Sequence, residues 1–521
     1  MEKTKKNRLI LIIIAVLMPV LQASVLFLVH KIEFGTGLPS PIWTDEATYC
    51  AILKTWATDG CHDFWGNALG YYGYNGEHAI IGHGSAWNPV VLLPYLLLVK
   101  MCGYSISVIF FSNVLFLTIS IMLFILLTNP NVKNLIFLII LQAVSAPIIL
   151  YLSTDMTEIL RFSYSILLAG LIFRLYEKEE DYVAVRYILT PLAILFMMQA
   201  YIFFVFIVPV YMWGILRKKK VWVRILGVFL GSVLSGGGSY IVLHYISSNY
   251  DTYKTDALLN ALSADDFILA VKQVWWVMQA ELDGRAMFLI HGSYGHGLIR
   301  WFFFAVILLF AYSLVMCIAY KLLHKRFYTY FISTFCLLIF NVAFWTLYSI
   351  ESFTLFRSIS IVVIFSLYLC IADKEKNDFA LLIMMAIGMI YVPINEAEFS
   401  ENRYLTEEAA LENAALEKSL SDCLIVNSDG DAWESTVLIY TMEPRVIASM
   451  PAGAGINLMF DDRIKEPAGY LFMSKRGNSE LNAAWLEQSG LEIYKNNKDL
   501  LDKEYNIVWE DNSYILYKRK R

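Results

Sequence analysis

Long apolar segments separated by short charged loops dominate the first three quarters of the chain. Residues 8–30 follow a basic N-terminus and are long enough to cross a bilayer, so we predict an uncleaved membrane span there. Further spans are predicted at about 105–127, 134–152, 157–175, 187–201, 203–216, 223–246, 298–320, 329–348, 353–372 and 378–394. The stretch 187–216 also fits one long tilted helix. Counting it as two gives an α-helical polytopic membrane protein of about 11 transmembrane helices.

The pattern changes after residue 395. Short apolar runs typical of strands alternate with helical stretches at 404–420 and 481–489. The predicted strands are Cys423–Val426, Tyr470–Met473, Ile507–Trp509 and Tyr514–Tyr517. We therefore expect two units: a transmembrane module over 1–395 and a soluble α/β domain over 396–521.

Composition agrees with membrane insertion. The chain is 58% hydrophobic and 17% charged, whereas soluble domains are about 25% charged. The tail carries 14 lysines and arginines against 23 acids, which gives no support for nucleic-acid binding.

The distribution of cations predicts which loops face the cytoplasm. The outer loop 31–104 has 74 residues but only Lys31, Lys54 and Lys100. The loops on the other side hold Lys133, Arg174, Lys178, Arg186, Arg217, Lys218, Lys219, Lys220, Arg224, Lys321, Lys325, Arg326, Lys374 and Lys376. By the positive-inside rule the N-terminus is cytoplasmic and the C-terminal domain extracytoplasmic, in the cell membrane.

Two adjacent carboxylates, Asp45 and Glu46, lie just beyond the first span in the segment Thr44-Asp45-Glu46-Ala47-Thr48-Tyr49. An ordinary helix start, capped by Thr44, accounts for them equally well. Cys50 and Cys61 share this loop and are candidates for a disulfide.

Other polar candidates gather in the same set of predicted outer loops, whereas the interiors of the spans hold almost no ionisable residues. They are His83, Asp155, Glu158, Arg161, Arg285, His291, His296, Arg300 and Arg357. The histidines lie in Gly-rich turns and are often plain turn residues, and arginines at span ends commonly snorkel. A divalent metal is compatible with these side chains, but the sequence assigns none.

The Asp-Glu-Ala-x-Tyr segment after one span, and the turn Ser153-Thr154-Asp155-Met156-Thr157-Glu158, resemble the GT-C glycosyltransferases. The nearest likeness is to bacterial aminoarabinose transferases and protein mannosyltransferases. The segment Trp87–Tyr95 stands where those proteins have a Pro-rich membrane-surface stretch. One departure is Gln199-Ala200, where the family often has Lys-Gly.

The resemblance implies an inverting transfer of a hexose or pentose from a polyprenyl-phosphate donor to an envelope glycan, lipid or protein outside the membrane. Asp45 is then the general base and Glu46 an orienting or metal-assisting group. The substrate-binding candidates are Tyr49, His83, Asp155, Glu158, Arg161, Arg285, His291, His296, Arg300 and Arg357. The leaving group is a polyprenyl phosphate, which needs cations and hydrogen-bond donors more than a strong acid.

Two other classes remain open from the sequence. A glycan polymerase or ligase with lipid-pyrophosphate substrates is compatible with Arg285 and Arg300 in a large outer loop. A transporter of lipid-linked sugars fits less well, because ion-coupled transporters usually place ionisable residues at membrane depth.

Overall fold

The computed structural model describes residues 2–34, 49, 53, 71–74, 77–80, 92–103, 108–152, 154, 156–177, 207–241, 260–261, 263–264, 266–273, 275–276, 352–372, 423–426, 470–474, 502–510 and 514–520. Helices dominate this part of the chain. They are α1 (Glu2–Phe34), α2 (Leu93–Cys102), α3 (Val108–Thr128), α4 (Val132–Val144), α5 (Ala146–Leu152), α6 (Glu158–Glu177), α7 (Val208–Ile215), α8 (Val221–Ile241) and α9 (Ser352–Ala372).

Three described helices are long and apolar enough to cross a membrane: Lys6–Val29 within α1, Val108–Thr128 and Glu158–Tyr176. They coincide with the predicted spans 8–30, 105–127 and 157–175, and α9 coincides with 353–372. α7 and α8 lie within or next to the predicted spans 203–216 and 223–246. The predicted spans 187–201, 298–320, 329–348 and 378–394 lie outside the described residues, so the number of spans stays a prediction.

The predicted span 134–152 is two helices, not one, because the chain breaks into α4 and α5 at Ser145. Ser145 adopts an extended conformation with φ −70° and ψ 99°. Pro147 follows two residues later, where its ring would clash with the carbonyl four residues back in a continuous helix. α5 instead begins at Ala146, so that Pro147 occupies its first turn, where a missing amide costs nothing.

α6 forms the centre of the bundle, with almost every residue buried, and it packs against α3 and α9. α3 and α6 run in parallel. Asn113, near the start of α3, contacts the turn before α6, and Gly170 lies against Phe124 and Leu127 near the end of α3. α9 has the same direction, since Tyr368 near its end packs on Phe124 with 5.2 Å between ring centroids.

Three carboxamide side chains supply hydrogen bonds to backbone carbonyls that have lost their helical donors. Gln142 Nε2 donates to the Ala15 carbonyl at 3.3 Å, which Pro19 leaves without an amide donor. Gln22 and Asn134 donate to the carbonyls of Gln142 and Ile371, at 2.7 and 2.6 Å, near the ends of α4 and α9. The last four carbonyls of a helix have no partner within it, and lipid offers none.

Four strands of the C-terminal region lie where the sequence predicts them. They are β3 (Cys423–Val426), β4 (Tyr470–Ser474), β5 (Tyr505–Glu510) and β6 (Tyr514–Arg519). They form one sheet in the order β3-β4-β6-β5, with β3 parallel to β4 and the other pairs antiparallel. The helical stretches 404–420 and 481–489 lie outside the described residues, so the α/β domain over 396–521 and its boundary stay predictions.

An antiparallel hairpin lies in the loop 31–104 and was not predicted. It consists of β1 (Tyr71–Tyr74) and β2 (Glu77–Ile80), with Tyr74 opposite Glu77. The two intervening residues are Asn75-Gly76, the pair most favoured in two-residue hairpin loops. The local signal was therefore present in the sequence.

We expect Gln142→Leu to lower the stability of the bundle by about 1 kcal/mol, because it leaves the Ala15 carbonyl without a donor in an apolar interface. Thermal unfolding of the purified protein in detergent measures the loss. Pro19→Ala restores a backbone amide at position 19, so Gln142→Leu should cost less in that background. Equal losses in both backgrounds would show that Gln142 does not compensate for Pro19.

Candidate functional site

The acidic turn between α5 and α6 is held from outside by one residue. Asn113 Nδ2 donates to the carbonyls of Thr154 and Met156, at 3.4 and 3.0 Å. Both carbonyls belong to the short segment that joins α5 to α6, so Asn113 fixes the backbone of this segment at Thr154 and at Met156. The turn also holds itself, because the Thr154 hydroxyl donates to the Tyr151 carbonyl at 2.7 Å and accepts from the Met156 amide at 3.2 Å.

Asn113 is in turn fixed by Tyr95. The Tyr95 hydroxyl donates to Asn113 Oδ1 at 2.7 Å, and both residues have no exposed surface. Tyr95 also packs edge-to-face on Phe116, with 5.2 Å between ring centroids. This chain of contacts joins α2, which forms the last part of the long loop 31–104, to α3 and to the acidic turn. A displacement of α2 would therefore reach the turn through two hydrogen bonds.

A carboxylate and a guanidinium are buried together at the start of α6. Glu158 Oε1 lies 3.7 Å from Arg161 Nη1, and the two side chains are 0% and 5% exposed. Glu158 is the first residue of α6, where the helix dipole favours a negative charge. Arg161 does not snorkel, because it lies in the bundle core. The bundle therefore carries both charge signs at this end.

Arg357 lies on α9 at nearly the same level as Arg161 on α6. Gly170 and Tyr368 both lie against Phe124, which sets a common height for the two helices. Arg161 precedes Gly170 by about 14 Å along the axis, and Arg357 precedes Tyr368 by about 16 Å, at 1.5 Å per residue. The two backbone positions therefore belong to the same end of the bundle.

Tyr49 is helical and only 1% exposed, and Leu53, four residues on, is fully buried. Positions four residues apart share one face of a helix. The two buried residues therefore agree with the helix predicted to start near Thr44, with this face turned towards protein.

Glu158 and Arg161 thus lie side by side at the end that carries the acidic turn, and the backbone of Arg357 lies at a similar level on a neighbouring helix. Asp45, Glu46, His83, Asp155, Arg285, His291, His296 and Arg300 lie outside the described residues, as do Cys50 and Cys61. Within the described part of the chain, no three His, Cys, Asp or Glu side chains converge on a metal position.

Sequence reasoning missed Asn113 and Tyr95. Asn113 was visible as a lone carboxamide inside the apolar stretch 105–127, and such residues usually bond across helices or mark function. The sequence did not reveal its partners, because Thr154 and Met156 lie 41 and 43 residues further along the chain.

This arrangement offers a polar end to an apolar bundle. The buried Arg161 guanidinium and Glu158 carboxylate lie at the end of a bundle whose exposed side chains are mostly apolar. Such a site suits a molecule with a charged head and an apolar tail, because the head can contact charged side chains while the tail lies along apolar helices in the membrane.

We expect Asn113→Ala to release the acidic turn. The loss of three buried hydrogen bonds should lower the unfolding free energy by about 2 kcal/mol or more and speed amide exchange in a peptide covering 151–158. Hydrogen–deuterium exchange with mass spectrometry measures the second effect. Ser112→Ala is the matched control, because the Ser112 hydroxyl bonds only to the Val108 carbonyl of its own helix. Unchanged exchange in Asn113→Ala would mean that α5 and α6 hold the turn without Asn113.

No protein-family model matches the chain, and no curated protein shows significant similarity to it. Among solved structures it is similar to ArnT from Cupriavidus metallidurans bound to undecaprenyl phosphate, with 11% identity over 96% of this chain and 97% of that one. The TM-score is 0.39, so the match assigns no role to any residue.

Proposed function

We propose that the chain is an inverting glycosyltransferase that moves a sugar from a polyprenyl-phosphate donor to an envelope glycan, lipid or protein on the outer face of the membrane. The observation that carries the proposal is the buried Glu158–Arg161 pair beneath the acidic turn, at one end of an apolar helical bundle. A lipid phosphate needs a cation at that depth, and its chain needs the hydrocarbon surface below.

Helical spacing supports Asp45 over Glu46 as the general base. Position 45 precedes Tyr49 by four residues and Leu53 by eight, and both of these residues are buried. In a helix starting at Thr44, position 45 therefore lies on the protein-facing side, whereas position 46 lies about 100° around the axis. Asp45 would face the reacting groups, and Glu46 would orient Asp45 or assist a metal.

The proposed reaction needs little from the protein beyond positioning and one proton acceptor. The acceptor hydroxyl oxygen attacks the anomeric carbon from the face opposite the phosphate, and its proton passes to the Asp45 carboxylate. The bond between the anomeric carbon and the phosphate oxygen breaks with inversion. Polyprenyl phosphate leaves as a stabilised anion, held by arginine side chains rather than protonated.

The arginines have different parts in this scheme. Arg161 is fixed beside Glu158, so it gives the site a positive charge that cannot move far. Arg357 is the proposed contact for the donor phosphate, because its backbone lies at the same level on a neighbouring helix. Arg285, Arg300, His291 and His296 are further candidates for the phosphate, and His83, Asp155 and Tyr49 for the sugar or the acceptor.

Transfer of radiolabel from a synthetic polyprenyl-phosphate sugar to membrane glycans, lipids or proteins tests the proposal directly. Purified protein in vesicles should transfer label, and polyprenyl phosphate should accumulate in equal amount. Use of lipid pyrophosphates alone would favour a polymerase or ligase, and movement of donor across the bilayer without bond cleavage would favour a transporter.

We expect Asp45→Asn to reduce transfer by about 10² to 10⁴-fold, the usual contribution of a positioned general base. Single-turnover rates with saturating donor measure the loss, and thermal unfolding should be unchanged. Asp59→Asn removes another acid of the same loop and should leave the rate intact. Near-normal turnover of Asp45→Asn would assign Asp45 to a helix cap and remove the proposed base.

We expect Arg357→Ala to raise the apparent donor KM, or to depress kcat/KM for the donor, by about tenfold or more, because a charge-assisted contact to the phosphate is lost. Acceptor KM should change little. Steady-state kinetics with each substrate varied in turn separates the two. A fall in thermal stability with unchanged donor kinetics would instead make Arg357 a structural partner of Glu351, and would move the phosphate site towards His291 and His296.

A further inference from the structure

The turn between α7 and α8 presents three consecutive lysines at the other end of the bundle. Lys218, Lys219 and Lys220 are all exposed. The turn lies beside the C-terminal end of α6, because Arg217 Nη1 donates to the Leu175 carbonyl. It is therefore on the side opposite the acidic turn, the side predicted to face the cytoplasm.

The two arginines that flank these lysines hold the turn against the protein. Arg217 contacts the end of α6, as above. The Arg224 guanidinium lies 3.6 Å from the centroid of the Trp213 ring, and its Nη2 donates to the Trp213 carbonyl at 3.4 Å. Both ends of the turn are thus fixed by the protein, and the three lysines between them are exposed.

The helix α8 follows the lysine cluster, and one of its faces is an exposed surface of apolar side chains. Its exposed residues are Val221, Trp222, Ile225, Leu226, Phe229, Leu230, Val233 and Leu234. They recur in pairs four apart, which is one side of a helix, and extend about 20 Å along the axis. The opposite side packs on α7, where Gly227 and Gly231 lie close to Leu216 and Met212.

We propose that this surface binds an anionic phospholipid, with the phosphate at Lys218–Lys220 and the acyl chains along the apolar face of α8. The apolar face alone would accept any membrane lipid. The lysine cluster adds charge complementarity at the depth of the headgroups, and so selects a negatively charged one. The site is independent of the proposed transferase chemistry, which lies at the opposite end.

Two alternatives to lipid binding by the lysines predict different results in a lipid-binding experiment. The acids Glu177, Glu179, Glu180 and Asp181 begin two residues beyond Leu175, and pairing with them would make the lysines a structural element. The positive-inside rule would make the lysines a topology signal with no preference among lipids.

Native mass spectrometry of the detergent-solubilised full chain tests the site with phosphatidylglycerol and phosphatidylcholine of identical acyl chains. The wild-type chain should bind phosphatidylglycerol more tightly and gain more thermal stability from it. Lys218→Gln, Lys219→Gln and Lys220→Gln combined should weaken phosphatidylglycerol binding by about a hundredfold, since each lysine near a headgroup contributes roughly fivefold. Phosphatidylcholine binding should not change.

Three controls make the result decisive. Lys3→Gln, Lys5→Gln and Lys6→Gln combined remove the same charge elsewhere and should keep the preference for phosphatidylglycerol. Lys218→Arg, Lys219→Arg and Lys220→Arg combined conserve the charge of the cluster and should also keep the preference. Glu179→Gln with Glu180→Gln should keep or strengthen the preference. Retention of the preference by the combined Lys218→Gln, Lys219→Gln and Lys220→Gln variant, or an equal loss of stability with both lipids, would overturn the proposal.

Discussion

A hydrocarbon solvent leaves no backbone carbonyl free, and the described bundle depends on that constraint. Wherever a helix ends, breaks or meets proline, its unpaired carbonyls need a donor from protein. Gln22, Asn113, Asn134 and Gln142 supply such donors, each from a neighbouring segment. Each bond therefore satisfies a local defect and fixes two helices to each other. The irregular points of the backbone have become the points at which the helices are joined.

The same constraint explains why the acidic turn can exist at all. Thr154 and Met156 lie between α5 and α6, outside both helices. Asn113 donates to both of their carbonyls, and Tyr95 holds Asn113 in the orientation that does so. An exposed loop would satisfy its carbonyls with water and keep its freedom. Thr154, Met156 and Thr157 are instead buried, so this part of the turn belongs to the core.

Run length and hydropathy predicted those elements that depend only on local composition. The spans 8–30, 105–127, 157–175 and 353–372 and the four C-terminal strands were predicted within a few residues. The break at Ser145 was missed because its apolar neighbours read as one run, although Pro147 was present as a signal. The hairpin at Tyr71–Ile80 was missed because its strand sequences show little hydrophobic alternation, although Asn75-Gly76 was present as a turn signal. The partners of Asn113 could not be predicted from local sequence patterns, because they lie 41 and 43 residues further along the chain.

The Glu158–Arg161 pair is buried in the bundle core, where Glu and Arg side chains rarely lie unless they are paired. Removing two charges from water costs several kcal/mol for each ion, and well-packed apolar side chains of similar volume are often as stable or more so. Glu158 Oε1 and Arg161 Nη1 lie 3.7 Å apart, so the two charges compensate each other inside the core. The pair lies at the end of the bundle that carries the acidic turn. In the proposed transferase, this position would place a cation near a charged headgroup at the end of an apolar bundle.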